Sequence, residues 1–495
     1  MVGDTTTVAR TALTVLKGWL SVLLTLGLLT TAASAQVFIS KEREKQIGRE
    51  QHPQAVAEFG GVYTEKGLDQ YIADVGNRIA KFSNDPDLGY TFTLVNFPEV
   101  NAFAMPGGYV YVTRGLVATA NSEAEMAGTI GHEIGHVTER HMAKRLDRQI
   151  GVSIIGVVVG AVGGSDQITQ VINRSGQALV RSFSREQEYE ADLVGVRALA
   201  AAGYDPFAQA DFLDSMAKER AMVAKITGEP YDPNRSDFLS THPNTGKRVK
   251  KAIEEAGRSG AGPAGSKPRN RDIFLDRIEG MLFGDDPEQG FIRGRNFSHP
   301  ALRMTFNAPE RFYLRNSTTS VYAQGPENTG LRLTADRIRS SDDITTYLRQ
   351  EFASRKRIRL TDVQSFKTRS GLPAATGLYR MRNSNSNYDI RFVAIQYAGS
   401  QVYNFMFWAP PDKIKTYEPK FQETVMGFRK LSNAEAAELK PLRIRIVTAG
   451  PNDTVQTMAN RMAYRTYKID RFKFINSIEE NEAIVPGRRY KIVAE

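Results

Sequence analysis

A chain of 495 residues has room, at typical domain sizes, for about three domains with ordinary cores. Its 41% hydrophobic and 24% charged residues exclude disordered and fibrous classes, and a net charge of +10 without a basic block gives no reason to expect nucleic acid as a partner. Cysteine is absent, which excludes disulfide scaffolds, thiolate metal sites, cysteine nucleophiles and a cysteine-borne lipid anchor. Any metal is left to histidine and carboxylate.

In chain order, Arg10 and Lys17 precede an apolar run from Trp19 to Leu29, and Ala33-Ser34-Ala35 follows as a small-residue cleavage pattern. This predicts a signal peptide over 1–35 and a periplasmic mature protein. The run is shorter than the roughly 20 residues of a membrane-spanning helix, so no stable transmembrane anchor is expected after cleavage. Residues 36–255 then alternate helical patterns with one strand-rich patch, and residues 256–271 turn rich in Gly, Ser and Pro, a linker composition.

Within the first of these units the segment Glu123 to Arg145 has no proline and carries Met126, Ile130, Ile134 and Val137 as an apolar stripe, which predicts one helix. Ser122, three residues before Glu125, reads as a capping box at its start. This helix holds His132-Glu133-Ile134-Gly135-His136. Residues four apart share a helix face, so His132 and His136 can direct two imidazoles at one zinc ion while Glu133 stands beside the first as a free carboxylate. Gly128, Gly131 and Gly135 on the same helix suggest close approach by another element or by substrate.

A catalytic zinc needs a third protein ligand. A metzincin would have a glycine at position 139 and a histidine at 142, where Glu139 and Met142 stand. His141 lies about 140° round a continuous helix from His136 and reads as a structural or surface histidine. Downstream, Glu188 and Asp192 are four apart in an acidic run that opens another helical pattern. One can ligate the metal while the other accepts the second ring N–H of a ligand histidine. Between the two metal-bearing helices, residues 150–164 are uncharged but too short to span a membrane, and read as a buried or site-covering segment.

These residues carry a resemblance. The HEIGH motif, Ser184-Arg185 followed by Glu188, Ala191 and Asp192, the stretch Asn101 to Thr113, and His242-Pro243 with Arg248 together resemble the zinc metallopeptidase family forty-eight, which holds the type I CAAX prenyl proteases and periplasmic relatives acting in outer-membrane quality control. The resemblance covers about 41–255. It implies one zinc per chain, His132, His136 and Glu188 as ligands, Glu133 as general base toward a zinc-activated water, and Asp192 as the partner that orients a ligand histidine. His242 precedes Pro243, which restrains it to extended backbone, and two roles stay open for it: an oxyanion donor or a fourth ligand that keeps the enzyme latent. The alternating strand around Tyr109 and Tyr111, with Asn101 before it, is the expected substrate-binding element, pairing with an extended peptide.

Beyond the linker the period becomes two, at Met304 and Phe306, Leu331 and Leu333, Ile390 and Phe392, and Tyr403, Phe405 and Phe407, with helical stripes at Ile344, Tyr347, Leu348 and Phe352 and at Phe421, Val425 and Phe428. Residues 272–432 thus read as an α+β sandwich, similar in pattern to PsbP. Residues 441–495 resemble a degenerate LysM module and carry ten basic and six acidic residues, which makes peptidoglycan a candidate partner. The expected fold is mixed: a mainly α-helical zincin-like metallopeptidase domain with a small sheet, then the sandwich, then a small LysM-like α/β module. The expected function is a zinc metalloendopeptidase of the bacterial envelope, acting on unfolded or misassembled envelope proteins. The alternatives are a chaperone-like or peptidoglycan-binding protein with structural zinc, and a murein hydrolase.

Overall fold

The computed structural model describes residues 39–147, 183–227, 242, 245–317, 319–339, 343–383 and 386–495. The signal segment and residues 150–164 lie outside the described residues. Among the described residues no helix is long and apolar enough to cross a membrane.

The chain opens with α1 (Lys41–Glu58), capped by the Ser40 hydroxyl, and α2 (Leu68–Ala80), whose inner face is Leu68, Ile72, Val75 and Ile79. Three short strands follow: β1 (Thr91–Val95), β2 (Ala102–Met105) and β3 (Tyr109–Thr113). Their order is β1-β3-β2, with β3 parallel to β1 and antiparallel to β2. Side chains alternate across the sheet, so Val110, Val112, Ala102 and Ala104 face the helices that follow, while Tyr111, Phe103 and Met105 pack with Ala55 of α1.

After α3 (Arg114–Thr119) come α4 (Glu123–Thr138), α5 (Arg185–Ala201), α6 (Ala208–Thr227), α7 (Thr245–Arg258) and α8 (Arg271–Ile278). The Ser122 hydroxyl accepts from Glu125 N, and the Glu125 carboxylate accepts from Asn121 N, one residue earlier than a reciprocal box would place it. Helix α4 stops at Thr138, just past the end of its apolar stripe and short of the Arg145 to which the proline-free segment was expected to carry it. Arg140 takes φ +54°, a left-handed conformation that costs a non-glycine residue on the order of 1–3 kcal/mol. It is held there by Glu44, 2.7 Å from its Nε, and by the Ile39 carbonyl.

The sheet-rich region that follows has β4 (Leu282–Phe283), β5 (Phe291–Arg293), β6 (Asn296–His299), β7 (Met304–Asn307), β8 (Tyr313–Asn316), β9 (Ser320–Gln324), β10 (Gly330–Arg337), β11 (Thr361–Lys367), β12 (Pro373–Asn383), β13 (Ser386–Ala398), β14 (Gln401–Ala409), α9 (Ile414–Met426) and β15 (Arg429–Lys430). A seven-stranded antiparallel sheet runs β11-β12-β13-β14-β10-β9-β8 and a four-stranded one runs β15-β7-β6-β5. The period-two residues divide as alternation requires: Leu331, Leu333, Phe405 and Phe407 pack with Phe421 and Phe428 and with Phe306 of the smaller sheet, whereas Ile390 and Phe392 pack beneath Tyr347, Leu348 and Phe352.

The chain ends with β16 (Leu442–Thr448), α10 (Val455–Asn460), α11 (Lys468–Ile475) and β17 (Arg489–Ala494). Strand β16 pairs with β17 on one side and with β4 on the other. Phe274, Leu275, Ile278 and Leu282 join Ile444, Met458, Phe472, Tyr490 and Val493 in one core with Ile72, Val112, Ile130 and Ile134. Residues 271–283 therefore lie in the first core and not with the sheets that follow them.

Candidate metal centre

Helices α4 and α5 touch through glycine. A Cβ on Gly135 would stand 2.8 Å from Ala191 Cα, and one on Gly195 would stand 2.9 Å from His132 N, separations that real Cβ atoms do not show. The backbones approach until the inner face of α5 reaches the histidines of α4. Ser184 caps α5 in a reciprocal box with Gln187, setting the turn that carries Glu188 inward. The close approach anticipated at the α4 glycines is thus to another helix.

The result is a buried group of His132, His136, Glu188 and His242, with one donor atom from each within 4.8 Å of all the others. His136 Nε2 lies 3.1 Å from His132 Nε2. His242 Nδ1 lies 3.2 Å from His132 Nε2 and 3.1 Å from Glu188 Oε1. Donor atoms of four residues facing one point at this spacing can hold one metal ion, and nitrogen with carboxylate oxygen is a set that zinc accepts.

Glu133 stands beside this group, fully buried, and neither of its carboxylate oxygens has a hydrogen-bond partner among the described residues. A buried carboxylate left so is costly unless something absent from the protein chain completes it. Burial pushes its pKa above the ordinary carboxylate value, against the pull of His242 and His132. Burial, with the neighbouring histidines, holds His136 well below the usual imidazole value and so leaves it a free lone pair. Burial acts on Glu188 in the opposite sense to His242 and Arg248, which prevail and lower it.

The outer nitrogens of both α4 histidines are held. His132 Nδ1 lies 2.8 Å from Asp192 Oδ1, and Arg248 Nε and Nη2 in turn donate to both Asp192 oxygens at 2.7 and 2.8 Å. The same guanidinium reaches Glu188 at 2.8 Å and donates to the His242 carbonyl at 3.1 Å. Arg248 had entered only as part of a sequence resemblance; six residues after His242, it is the fork that joins Glu188, Asp192 and the His242 backbone.

His141 corrects the reading made from a continuous helix. Because Arg140 breaks α4, His141 folds back, fully buried, with Nδ1 at 2.8 Å from His136 Nδ1. Phe183 stacks on the His136 ring with centroids 3.9 Å apart.

The substrate-binding expectation fares differently. Strand β3 is central, paired on both sides, so its backbone is spent and cannot add a peptide strand. Tyr111 faces α1, its hydroxyl 2.8 Å from His52 Nδ1, and Tyr109, half-buried, lies against Gly48 of α1. The structure brings neither tyrosine to the metal group, because alternation turns both to the other sheet face. Asn101 is buried at the foot of β2, its backbone held by Thr113, and its Oδ1 has no partner among the described residues.

Residues 67–256 match the family model described as peptidase family M48. The beta-barrel assembly-enhancing protease of Yersinia pestis is 31% identical over 231 residues, 44% of this chain and 45% of that protein. The mitochondrial metalloendopeptidase OMA1 of Schizosaccharomyces pombe is 28% identical over 220 residues, 44% of this chain and 62% of its own. The solution structure of cyanobacterial PsbP from Synechocystis sp. PCC 6803 aligns with 28% of this chain at 12% identity and a TM-score of 0.23, too low to bear on the fold. The chain spans less than half the length of the first of these relatives. The matched segment contains every residue of the buried histidine and glutamate group, so the similarity to peptidase family M48 covers the whole of the candidate metal centre.

Proposed function

We propose that this chain is a zinc-dependent metalloendopeptidase of the bacterial cell envelope that cleaves unfolded or misassembled envelope proteins. The observation that carries the reading is Glu133: a buried carboxylate whose oxygens make no hydrogen bond among the described residues, with His242 Nε2 at 3.5 Å and a metal-ligand group beside it. His132, His136 and Glu188 would hold the zinc. Bound there, zinc supplies a Lewis acid that acidifies water and polarises a peptide carbonyl. Glu133 takes a proton on a carboxylate oxygen and returns it to the leaving amine. Asp192 and Arg248 hold His132 and Glu188 in place. The printed names of the relatives, a protease and a metalloendopeptidase, support the reaction class.

For substrate, the edge of the small sheet left unpaired among the described residues is β2, beside α4 and next to Asn101, since β1 is bridged by residues 61–63. An extended peptide could add to β2 as a further strand, a mode that favours unfolded chains.

One observation favours the second reading, a binding protein with structural zinc: His242 stands where a fourth ligand would, and closed four-ligand sites are typical of structural zinc. Glu133 opposes it, since a structural site has no use for a buried carboxylate without a hydrogen bond among the described residues. Peptidoglycan binding by residues 441–495 draws no support from the comparisons, and the inner face of that unit is taken up by the shared core. Casein and purified peptidoglycan, each incubated with the chain with and without chelator, separate the readings. Chelator-sensitive cleavage of casein alone is expected; cleavage of peptidoglycan alone would make it a murein hydrolase, and cleavage of neither would favour the binding protein.

A further inference from the structure

The two histidines of the HExxH motif are not supported alike. The ring of His132 is held by a carboxylate, Asp192, within hydrogen-bond distance of Nδ1. Among the described residues the ring of His136 has no carboxylate at its Nδ1; that atom faces His141 Nδ1 at 2.8 Å, and His141 Nε2 faces Glu190 Oε2 at 3.0 Å. His141 is fully buried, whereas the Glu190 side chain is 55% exposed. The line His136, His141, Glu190 therefore runs from the metal group to solvent.

Proton positions along this line follow from one condition, that His136 Nε2, which points at His132 Nε2, is the ligating atom. A ligating nitrogen carries no hydrogen, so the neutral ring carries it on Nδ1 and donates it to His141 Nδ1. His141 must then accept there and carry its own hydrogen on Nε2, which it donates to Glu190. Each atom has one role and both distances suit it. Phe183, stacked on His136, closes the ring's face and leaves rotation about the His141 bond as the freedom to be restrained.

We propose that His141 is a positioning residue for zinc binding, fixing the tautomer and orientation of His136 as Asp192 does for His132, with Glu190 fixing His141 in turn. The inference rests on the reading that the group binds zinc. Outer partners of metal-bound histidines are worth about 10–100-fold in metal affinity, and a charge applied through an intervening ring and partly in solvent is worth less.

The test is zinc affinity of the full chain by chelator competition, together with the absorption spectrum of the cobalt-substituted protein, for wild type, His141→Asn, His141→Leu and Glu190→Gln. His141→Leu should bind zinc about 10–100-fold more weakly with an altered cobalt spectrum. His141→Asn, which restores an acceptor, should recover most of the affinity, and Glu190→Gln should lose only a few-fold. A packing role for His141 would make Leu the better replacement, so Leu equal to or tighter than Asn overturns the proposal. Should the His141 variants fail to fold, Glu190→Gln at the surface decides: unchanged affinity together with an unchanged spectrum overturns it. Wild type is titrated alongside. Tight wild-type binding with unaffected variants defeats this inference alone, and absence of wild-type binding defeats the metal reading with it.

Discussion

Glu188 and Asp192 are both buried carboxylates on one face of α5, yet they touch different things: Glu188 faces the donor atoms of His132, His136 and His242, while Asp192 faces the outer nitrogen of His132 and the Arg248 fork. Glu188→Ala is therefore expected to abolish tight zinc binding, whereas Asp192→Ala should weaken it about 10–100-fold and, by removing charge-assisted hydrogen bonds from a buried guanidinium that keeps Glu188 as its partner, cost stability of about 1.5–3 kcal/mol. Zinc titration with denaturant unfolding of both variants checks the split; equal zinc affinities would refute it. His242→Ala separates its two roles by peptidase rate: a fall assigns the oxyanion role, a rise assigns the latch, and no change removes both. At this scale the spacing rules reached His132, Glu133, His136, Glu188 and Asp192, because residues four apart share a helix face whatever the fold. They did not reach His141, whose place depends on a left-handed Arg140 anchored by Glu44, about a hundred residues away. Nor could they give Arg248 its partners, which only tertiary structure supplies.

Between elements, the closeness of α4 and α5 is what converts two amphipathic helices into a ligand set. A methyl group on Gly135 meets the Ala191 backbone, not a movable side chain. Gly135→Ala should therefore force the helices apart, costing about 1–3 kcal/mol and lowering zinc affinity as well. Gly257→Ala on α7, where nothing lies within 4 Å, serves as control and should be neutral or slightly stabilising. Thermal melts and zinc titration of the pair check this, and a Gly135→Ala protein with wild-type zinc affinity would contradict it. Of the small sheet, β3 was legible as a strand from the alternation of Tyr109-Val110-Tyr111-Val112, but nothing local tells that it lies between β1 and β2, so a peptide-pairing role fell on that strand.

Across the whole molecule, the final unit shares the apolar core of the first unit, and a buried ammonium adds to that tie. Lys491 Nζ, fully buried, donates to the carbonyls of Ala118, Thr119 and Ala120 at 2.9, 3.1 and 2.7 Å, just before the start of α4. Burial lowers its pKa to about 7. Asn476 holds its backbone from both sides. The linker composition of 256–271 suggested separable units, yet its end docks as well: Arg269 O accepts from Ala124 N, and Asn270 Nδ2 donates to Glu123. Composition reports local flexibility, whereas docking depends on distant apolar residues that composition does not locate. Lys491→Met would leave three carbonyls without their donor, each worth about 1–3 kcal/mol when buried. A clear drop in Tm is expected for Lys491→Met and a larger one for a chain ending at residue 440, while an unchanged melt for both would show the units to be independent.

Pairing metal analysis with casein cleavage in wild type and Glu133→Gln shows whether Glu133 beside a zinc ion carries out peptide hydrolysis. Glutamine keeps the shape and removes the base. The account predicts about one zinc per chain in both proteins, cleavage by wild type that chelator abolishes and zinc restores, and a loss of at least about 100-fold in Glu133→Gln. Cleavage by Glu133→Gln at the wild-type rate, or an active wild-type chain without zinc, would contradict it.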